Sequence, residues 1–144
     1  FLLADDTGAG KTIMAGLLIK ELLFRGVLSK VLIITPGGLT KQWQEDEMRD
    51  KFNLHFRLIN RASFEAEPSQ FAQSENGFFI TSIDFIARHE GCLKAASDTQ
   101  WDMIVVDEAH KLSAFEYGTK IDRSARYTAI ETLAKKTDHL HRYF

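Results

Sequence analysis

The chain has 144 residues, of which 44% are hydrophobic and 26% charged, and its formal net charge is −2. This length and balance fit one globular domain with its own core, and they exclude a disordered chain. They also exclude a strongly basic nucleic-acid module, although local Lys and Arg residues can still contact phosphates. The single cysteine, Cys92, cannot form an internal disulfide, which favours a reducing compartment.

No apolar run approaches the ~18 residues that a membrane span requires, so we expect no membrane partner and a cytoplasmic location. The sequence opens at Phe1, and its first apolar residues lead directly into a glycine-rich loop. We therefore interpret residues 1–144 as part of a domain that is truncated at both ends.

Short β-like segments alternate with amphipathic segments, which is typical of a parallel sheet covered by helices. The predicted strands are 1–4, 31–35, 54–59, 78–81 and 103–106, and the predicted helices are 11–24, 39–52 and 124–136, with another helix capped by Ser82. The first helix is expected to turn an apolar face formed by Met14, Leu17, Leu18 and Leu22 inward. Residues 60–77 are polar and predict a loop with a short helix. The fold class is therefore α/β, with a mainly parallel sheet and helices on both of its faces.

A glycine-rich segment lies between the first predicted strand and the first predicted helix. It consists of Asp5, Asp6, Thr7, Gly8, Ala9, Gly10, Lys11 and Thr12. Gly8 and Gly10 allow the backbone to curl so that several N–H groups face phosphate oxygens. Lys11 would then bind the β- and γ-phosphates, and the Thr12 hydroxyl would bind Mg²⁺. A glycine-rich turn without a ligand is the alternative, but this motif between a strand and a helix favours an ATP site.

The predicted strand at 103–106 is followed by Asp107, Glu108, Ala109 and His110. Ligands of open α/β sheets gather at the carboxyl ends of strands. There Asp107 can hold Mg²⁺ through water, and Glu108 can orient the attacking water as a base. A surface turn is the alternative, but the phosphate-binding loop upstream favours a paired site. We therefore predict Lys11, Asp107 and Glu108 as catalytic residues. For His110 we predict a role in coupling ATP to nucleic acid, with a polar cap residue as the alternative.

The two motifs together resemble superfamily 2 helicases, and the segments between them narrow the resemblance to Swi/Snf-like translocases. The segments that carry the resemblance are 2–12, then 34–36 with Leu39, Gln42 and Trp43, then 80–82, and then 104–110. The strict phosphate-loop pattern has glycine where Asp5 stands, and an aspartate there resembles this branch. The resemblance implies that residues 1–144 are part of a RecA-like P-loop NTPase lobe, the first of two, and that the second lobe is absent.

The resemblance also implies that ATP binds between the two lobes and that double-stranded DNA lies across both, held by its backbone. The residues that match DNA-facing motifs are Thr35, Pro36, Gly37, Thr81 and Ser82. Their hydroxyls and backbone N–H groups suit phosphate contacts. Ordinary loop and cap chemistry is the alternative, and for Gly37 and Ser82 it has equal weight. The helical spacing of Trp43 and Leu39 indicates that Trp43 is buried and does not stack on a base.

The leading hypothesis is an ATP hydrolase that couples hydrolysis to movement on double-stranded DNA. A strand-separating helicase and the motor subunit of a restriction or phage-defence system are the alternatives of the same class. A nucleotide-dependent switch that does not translocate is an alternative of another class. DNA is preferred to RNA on the resemblance alone. Because the second lobe would supply an arginine finger, we expect the isolated fragment to be nearly inactive.

Overall fold

The computed structural model describes residues 10–73, 76–107, 120–135 and 141–143. Part of the predicted site lies outside the described residues: the strand at 1–4, then Asp5, Asp6, Thr7, Gly8 and Ala9, and then Glu108, Ala109 and His110. Lys11, Thr12 and Asp107 lie inside them, as do all the residues predicted to face nucleic acid.

Within these described residues, five strands form one sheet in which every pairing is parallel. The strands are β1 Lys30–Thr35, β2 Arg57–Ile59, β3 Gly77–Ser82, β4 Met103–Val106 and β5 His141–Tyr143. Their order across the sheet is β2-β3-β1-β4-β5, so β1 lies at the centre. Every residue of β1 and of β4 is buried. Such strands are covered on both faces, which explains why their sequences are continuous apolar runs.

The helices are α1 Gly10–Phe24, α2 Arg61–Ala66, α3 Gln70–Gln73, α4 Ile83–Arg88, α5 Glu90–Asp98 and α6 Lys120–Lys135. Residues 37–52 form one further helical segment, here named the mixed helix. It contains a 3₁₀ turn at Gly37–Leu39, a π-helical stretch at Gln42–Arg49 and an α-helical turn at Asp50–Phe52. Among the described helices, none combines the length and apolar character needed to cross a bilayer.

The helices cover both faces of the sheet, as the alternation of side chains along β1 requires. Val31 and Ile33 belong to a core cluster with residues of α1 and the mixed helix. Leu32 and Ile34 belong to a second cluster with residues of α2 to α6. The predicted α/β class with helices on both faces is therefore confirmed. One face is covered by α1 and the mixed helix, and the other by α2 to α6.

The π-helical stretch explains the spacing of the buried residues in the mixed helix. In an α-helix, the five-residue step from Trp43 to Met48 would turn the second side chain about 140° away from the first. In a π-helix an N–H group bonds to the carbonyl five residues earlier, as the Asp50 N–H does to the Glu45 carbonyl. Trp43 and Met48 are both buried in the same cluster. The wider turn therefore holds both side chains against the sheet.

Several predicted details are wrong. In α1, Met14 and Leu17 are exposed, and Ile19 is the buried residue that packs with Leu18 and Leu22. Residues 60–77 contain two helices, α2 and α3, and a capping box between Asn60 and Ser63 begins α2.

Ser82 does cap a helix, because its hydroxyl accepts a hydrogen bond from the Phe85 N–H at 3.1 Å. A second helix, α5, follows α4 after His89. Cys92 on α5 is fully buried. Burial raises the pKa of its thiol to about 12, so Cys92 remains protonated and acts as a small apolar core residue.

Asp102 joins β1 to β4 at the edge of the sheet where both strands begin. Its Oδ2 accepts hydrogen bonds from the Ser29 N–H, the Ser29 hydroxyl and the Lys30 N–H, each at 2.8 Å. Burial opposes ionisation of Asp102, but the hydrogen bonds from Ser29 and Lys30 outweigh it and lower the pKa of the carboxyl. The carboxylate therefore stabilises the start of both strands.

We expect Asp102→Asn to lower the free energy of unfolding at pH 7 by about 1–2 kcal/mol, because charge-assisted bonds are lost. The folded-state pKa of Asp102 lies below its unfolded value of about 3.9. The contribution of Asp102 is therefore present above that value and is lost as the pH falls through the folded pKa. The difference between wild type and variant should shrink from pH 7 to pH 3 in urea unfolding. Asp46→Asn is an exposed control and should change neither the free energy of unfolding at pH 7 nor its dependence on pH. Identical behaviour of the two variants would contradict the stabilising role of Asp102.

Candidate nucleotide and nucleic-acid site

The carboxyl ends of three neighbouring strands, β1, β3 and β4, lie at the same edge of the sheet. Thr35 at the end of β1 pairs with Ser82 at the end of β3, and Ile34 pairs with Val106 at the end of β4. The residues that follow these strands therefore lie side by side. This edge is where open parallel sheets bind their ligands, and two of the predicted motifs, 35–37 and 81–82, meet there with Asp107.

Asp107 is held at this edge by two hydrogen bonds, one to its backbone and one to its side chain. Its N–H donates to the Ile34 carbonyl at 2.8 Å, which continues the pairing of β4 with β1 by one residue. Its Oδ2 accepts a hydrogen bond from the Trp43 indole Nε1–H at 2.9 Å. Asp107 is half-buried, whereas Trp43 is only 5% exposed. The carboxylate thus has a fixed orientation at the end of β4.

The predicted burial of Trp43 is confirmed, but its contact with Asp107 was not predicted. A general rule could have suggested it, because a buried indole N–H needs a hydrogen-bond acceptor. The acceptor could not be identified from the sequence, since Trp43 and Asp107 are 64 positions apart. Trp43 therefore contacts a predicted site residue, and the sequence alone did not reveal this contact.

Lys11 and Thr12 lie in the first turn of α1 and are half-buried. That turn contains no acidic residue, so the positive end of the helix dipole is available to an anion. α1 has 15 residues, which corresponds to about 22 Å, and it ends shortly before β1 begins. It packs on the same face of the sheet as the mixed helix, which carries Trp43.

The described residues have the chemistry that ATP·Mg²⁺ requires. Carboxylate and hydroxyl oxygens, as in Asp107 and Thr12, are the ligands that Mg²⁺ prefers. The Lys11 ammonium at a helix amino terminus suits phosphate oxygens. One oxygen of Asp107 is bonded to Trp43, and the other is not bonded to any side chain within the described parts of the chain. These donors fit the cofactor. That Lys11 and Thr12 face Asp107 across one nucleotide stays a prediction.

The two threonines predicted to contact nucleic acid are fully buried, which corrects that expectation for their hydroxyls. The Thr81 hydroxyl donates to the Ile59 carbonyl at 2.8 Å, and the Thr35 hydroxyl donates to the Pro36 carbonyl at 3.1 Å. Both side chains lie inside a sheet that is covered on both faces. They therefore stabilise the strand ends and do not present their hydroxyls to a ligand.

Gly37 and Ser82 are accessible and adjacent. Gly37 is exposed, and Pro36 and Ser82 are half-buried. A Cβ atom on Gly37 would lie 3.8 Å from the Cβ atom of Ser82, so the ends of β1 and β3 form one continuous surface. The mixed helix begins on one side of this surface, and α4 begins on the other. Its backbone N–H groups and the Ser82 hydroxyl suit contact with phosphates.

An ion pair connects α4, which follows Ser82, to α6. The Arg126 Nε donates to Asp84 Oδ1 at 2.9 Å, and the two side chains are 35% and 40% exposed. A pair of this exposure contributes modestly to stability, but it fixes the position of α4 against α6. The segment after Ser82 is therefore held by packing and by charge.

Comparison with known proteins supports a helicase-type lobe. Residues 1–140 match the family described as "Type III restriction enzyme, res subunit". The chain is 39% identical over 137 residues to the RNA polymerase-associated protein RapA of Serratia proteamaculans (strain 568), which covers 93% of this chain and 14% of that protein. It is 40% identical over 140 residues to RapA of Cronobacter sakazakii (strain ATCC BAA-894), covering 94% and 14%. The chain thus spans a small part of the length of the curated relatives it matches.

A solved structure, the "Sulfolobus solfataricus SWI2/SNF2 ATPase core in complex with dsDNA", is similar to this chain with a TM-score of 0.64 and 22% identity. The match covers 99% of this chain and 26% of that one. It shows the fold, which is the RecA-like lobe expected from the two motifs. The chain therefore belongs to the family of type III restriction enzyme res subunits, and it has the fold of the first RecA-like lobe of a Swi/Snf-like superfamily 2 ATPase.

Proposed function

We propose that this chain is part of the ATP-binding lobe of a motor that hydrolyses ATP with Mg²⁺ to move along double-stranded DNA. The observation that carries the proposal is the position of Asp107. It lies at the carboxyl end of β4 with an oriented carboxylate, at the same edge as the accessible surface of Gly37 and Ser82. The ends of adjacent strands therefore connect Asp107, which we assign to the nucleotide, with the Gly37 and Ser82 surface, which we assign to nucleic acid.

In the proposed mechanism, the backbone of Asp5, Asp6, Thr7, Gly8, Ala9 and Gly10 would surround the phosphates. Lys11 would bind the β- and γ-phosphates, and Thr12 and Asp107 would hold Mg²⁺, which would neutralise charge on the phosphates. Glu108 would orient the attacking water and accept its proton as the water oxygen bonds to the γ-phosphorus and ADP leaves. His110 passes the state of the nucleotide to the nucleic-acid surface.

The proposed DNA surface consists of Pro36, Gly37 and Ser82. Contacts from backbone N–H groups and one hydroxyl bind phosphates and do not distinguish base sequences. The similar solved structure is described as a complex with dsDNA, and the relatives are named as RNA polymerase-associated proteins. Both descriptions support a nucleic-acid partner for this lobe. A second RecA-like lobe of the same protein would close the ATP site with an arginine finger, and without it we expect very little turnover.

The family match also favours a second candidate, the motor subunit of a restriction system. It would use the same site residues and differ in its appended domains.

A strand-separating helicase and a nucleotide switch remain the further alternatives. Four measurements on the complete protein distinguish a translocase from a helicase and from a switch. A translocase should show DNA-stimulated ATP hydrolysis and displace the third strand of a triplex without separating a plain duplex. Duplex separation would indicate a helicase, and ATP binding without DNA stimulation would indicate a switch.

The roles of Lys11 and Glu108 can be separated in the complete protein. Lys11→Ala should weaken ATP binding at least tenfold, because the phosphates lose their cation. Glu108→Gln should preserve binding and reduce turnover by roughly 10²–10⁴, the usual contribution of a general base. Calorimetric titration and steady-state hydrolysis measure the two effects. Lys20→Ala is a matched control, since Lys20 is an exposed lysine of α1, and it should change neither. Equal losses of ATP binding in Lys11→Ala and Glu108→Gln would contradict the assigned roles.

The DNA surface can be tested by adding a negative charge to it. Gly37 has room for a side chain and begins a helical segment, where an aspartate is tolerated. Gly37→Asp should weaken double-stranded DNA binding roughly tenfold at low salt, about 1.4 kcal/mol, and less at high salt. ATP affinity without DNA should be unchanged. Ala72→Asp adds the same charge at an exposed position of α3 and should bind DNA like wild type; equal weakening by both variants would argue against the Gly37 surface.

A further inference from the structure

We propose that Trp43 is a positioning residue for Asp107, and that its indole N–H sets the direction in which the carboxylate faces the Mg²⁺-bound nucleotide. This inference rests on the proposed function, because it assigns Asp107 to the metal. The juxtaposition that carries it is the hydrogen bond from Trp43 Nε1 to Asp107 Oδ2 at 2.9 Å.

The donor has little freedom to move. Trp43 is 5% exposed and belongs to the cluster that contains Val31, Ile33 and Met103. It lies in the π-helical stretch, whose wider turn places Trp43 and Met48 on the same side. π-helical turns inside longer helices are rare overall, and those that occur are often found at functional sites. The indole is therefore fixed by packing before any ligand binds.

The acceptor is fixed independently. The Asp107 N–H bonds to the Ile34 carbonyl at 2.8 Å, which holds the backbone at the end of β4. The side-chain bond then uses Oδ2, and Oδ1 makes no hydrogen bond to a side chain of the described residues. A carboxylate held in this way presents one defined oxygen to a metal or its water. Outer-shell donors of this kind commonly orient metal ligands.

The second tryptophan of the chain shows what a structural indole does here. Trp101 is 4% exposed, and its Nε1 donates to the Ala96 carbonyl at 2.8 Å. That bond joins the end of α5 to the start of β4 in the other core cluster. Both indoles are buried and both donate one hydrogen bond. Only Trp43 directs its N–H to a carboxylate at the predicted ATP site. The two residues therefore form a matched pair for experiment.

The test compares Trp43→Phe with Trp101→Phe in the complete protein, by equilibrium titration with a fluorescent ATP analogue. The titration is done with Mg²⁺ and with the metal chelated. Loss of an outer-shell partner typically weakens metal affinity 10- to 100-fold. Trp43→Phe should therefore lose about tenfold or more of the affinity gained from Mg²⁺, and its metal-free affinity should equal that of wild type. Trp101→Phe should keep the full gain in affinity from Mg²⁺, even if its melting temperature falls as much as that of Trp43→Phe.

A shape-preserving replacement covers the case in which Trp43→Phe does not fold. Benzothienylalanine at position 43 keeps two fused rings and has sulfur in place of the N–H. It should fold like wild type and still lose the Mg²⁺-dependent gain in affinity. A gain equal to that of wild type or of Trp101→Phe would overturn the positioning role.

Asp107→Asn separates the failure of this inference from the failure of the proposed function. If Asp107→Asn removes the Mg²⁺-dependent gain and the Trp43 replacements do not, the inference fails and the metal role of Asp107 stands. If Asp107→Asn itself keeps the gain, the metal assignment fails, and the inference fails with it. When both act on one contact, the Trp43→Phe/Asp107→Asn double variant should lose no more than Asp107→Asn alone.

Discussion

The structure depends on the parallel register of β1 with β3 and β4. Hydrogen bonding between adjacent strands fixes Thr35 beside Ser82 and Ile34 beside Val106, so three chain segments leave the sheet together. In a parallel sheet each segment then has to cross a face before the next strand begins. The side chains that follow the strands are therefore collected at one edge, although they are distant in sequence. A shift of one residue in the pairing of β4 with β1 would turn Asp107 toward the opposite face.

The two edges of the sheet use carboxylates in different ways. At the edge where strands begin, Asp102 Oδ2 accepts three hydrogen bonds from Ser29 and Lys30, which hold the fold. At the edge where strands end, Asp107 accepts a single side-chain bond from Trp43 among the described residues. Asp102 therefore stabilises the start of β1 through three hydrogen bonds, whereas Asp107 keeps more of its acceptor capacity for the ligand that we propose.

The sequence predicted the elements whose signal is local. β1 and β4 are continuous apolar runs, and α1 follows a glycine-rich loop, so their positions were clear from the residues. The π-helical stretch was not predicted, because apolar spacing does not reveal a change in hydrogen bonding. The hydroxyls of Thr35 and Thr81 were assigned to a ligand because a motif match does not state which way a strand side chain points. The Trp43–Asp107 contact forms only in the folded sheet, where the mixed helix, which follows β1, lies beside the end of β4.

The mixed helix has one mechanical consequence. It begins at Gly37, beside Ser82, and six residues later it carries the indole that bonds to Asp107. Gly37 and Trp43 are therefore six residues apart in one continuous helical segment. Because the indole is tightly packed and a hydrogen bond tolerates only a few tenths of an ångström, the mixed helix cannot slide or turn without straining that bond. The lobe thus contains a short lever that connects the proposed DNA surface to the proposed metal ligand.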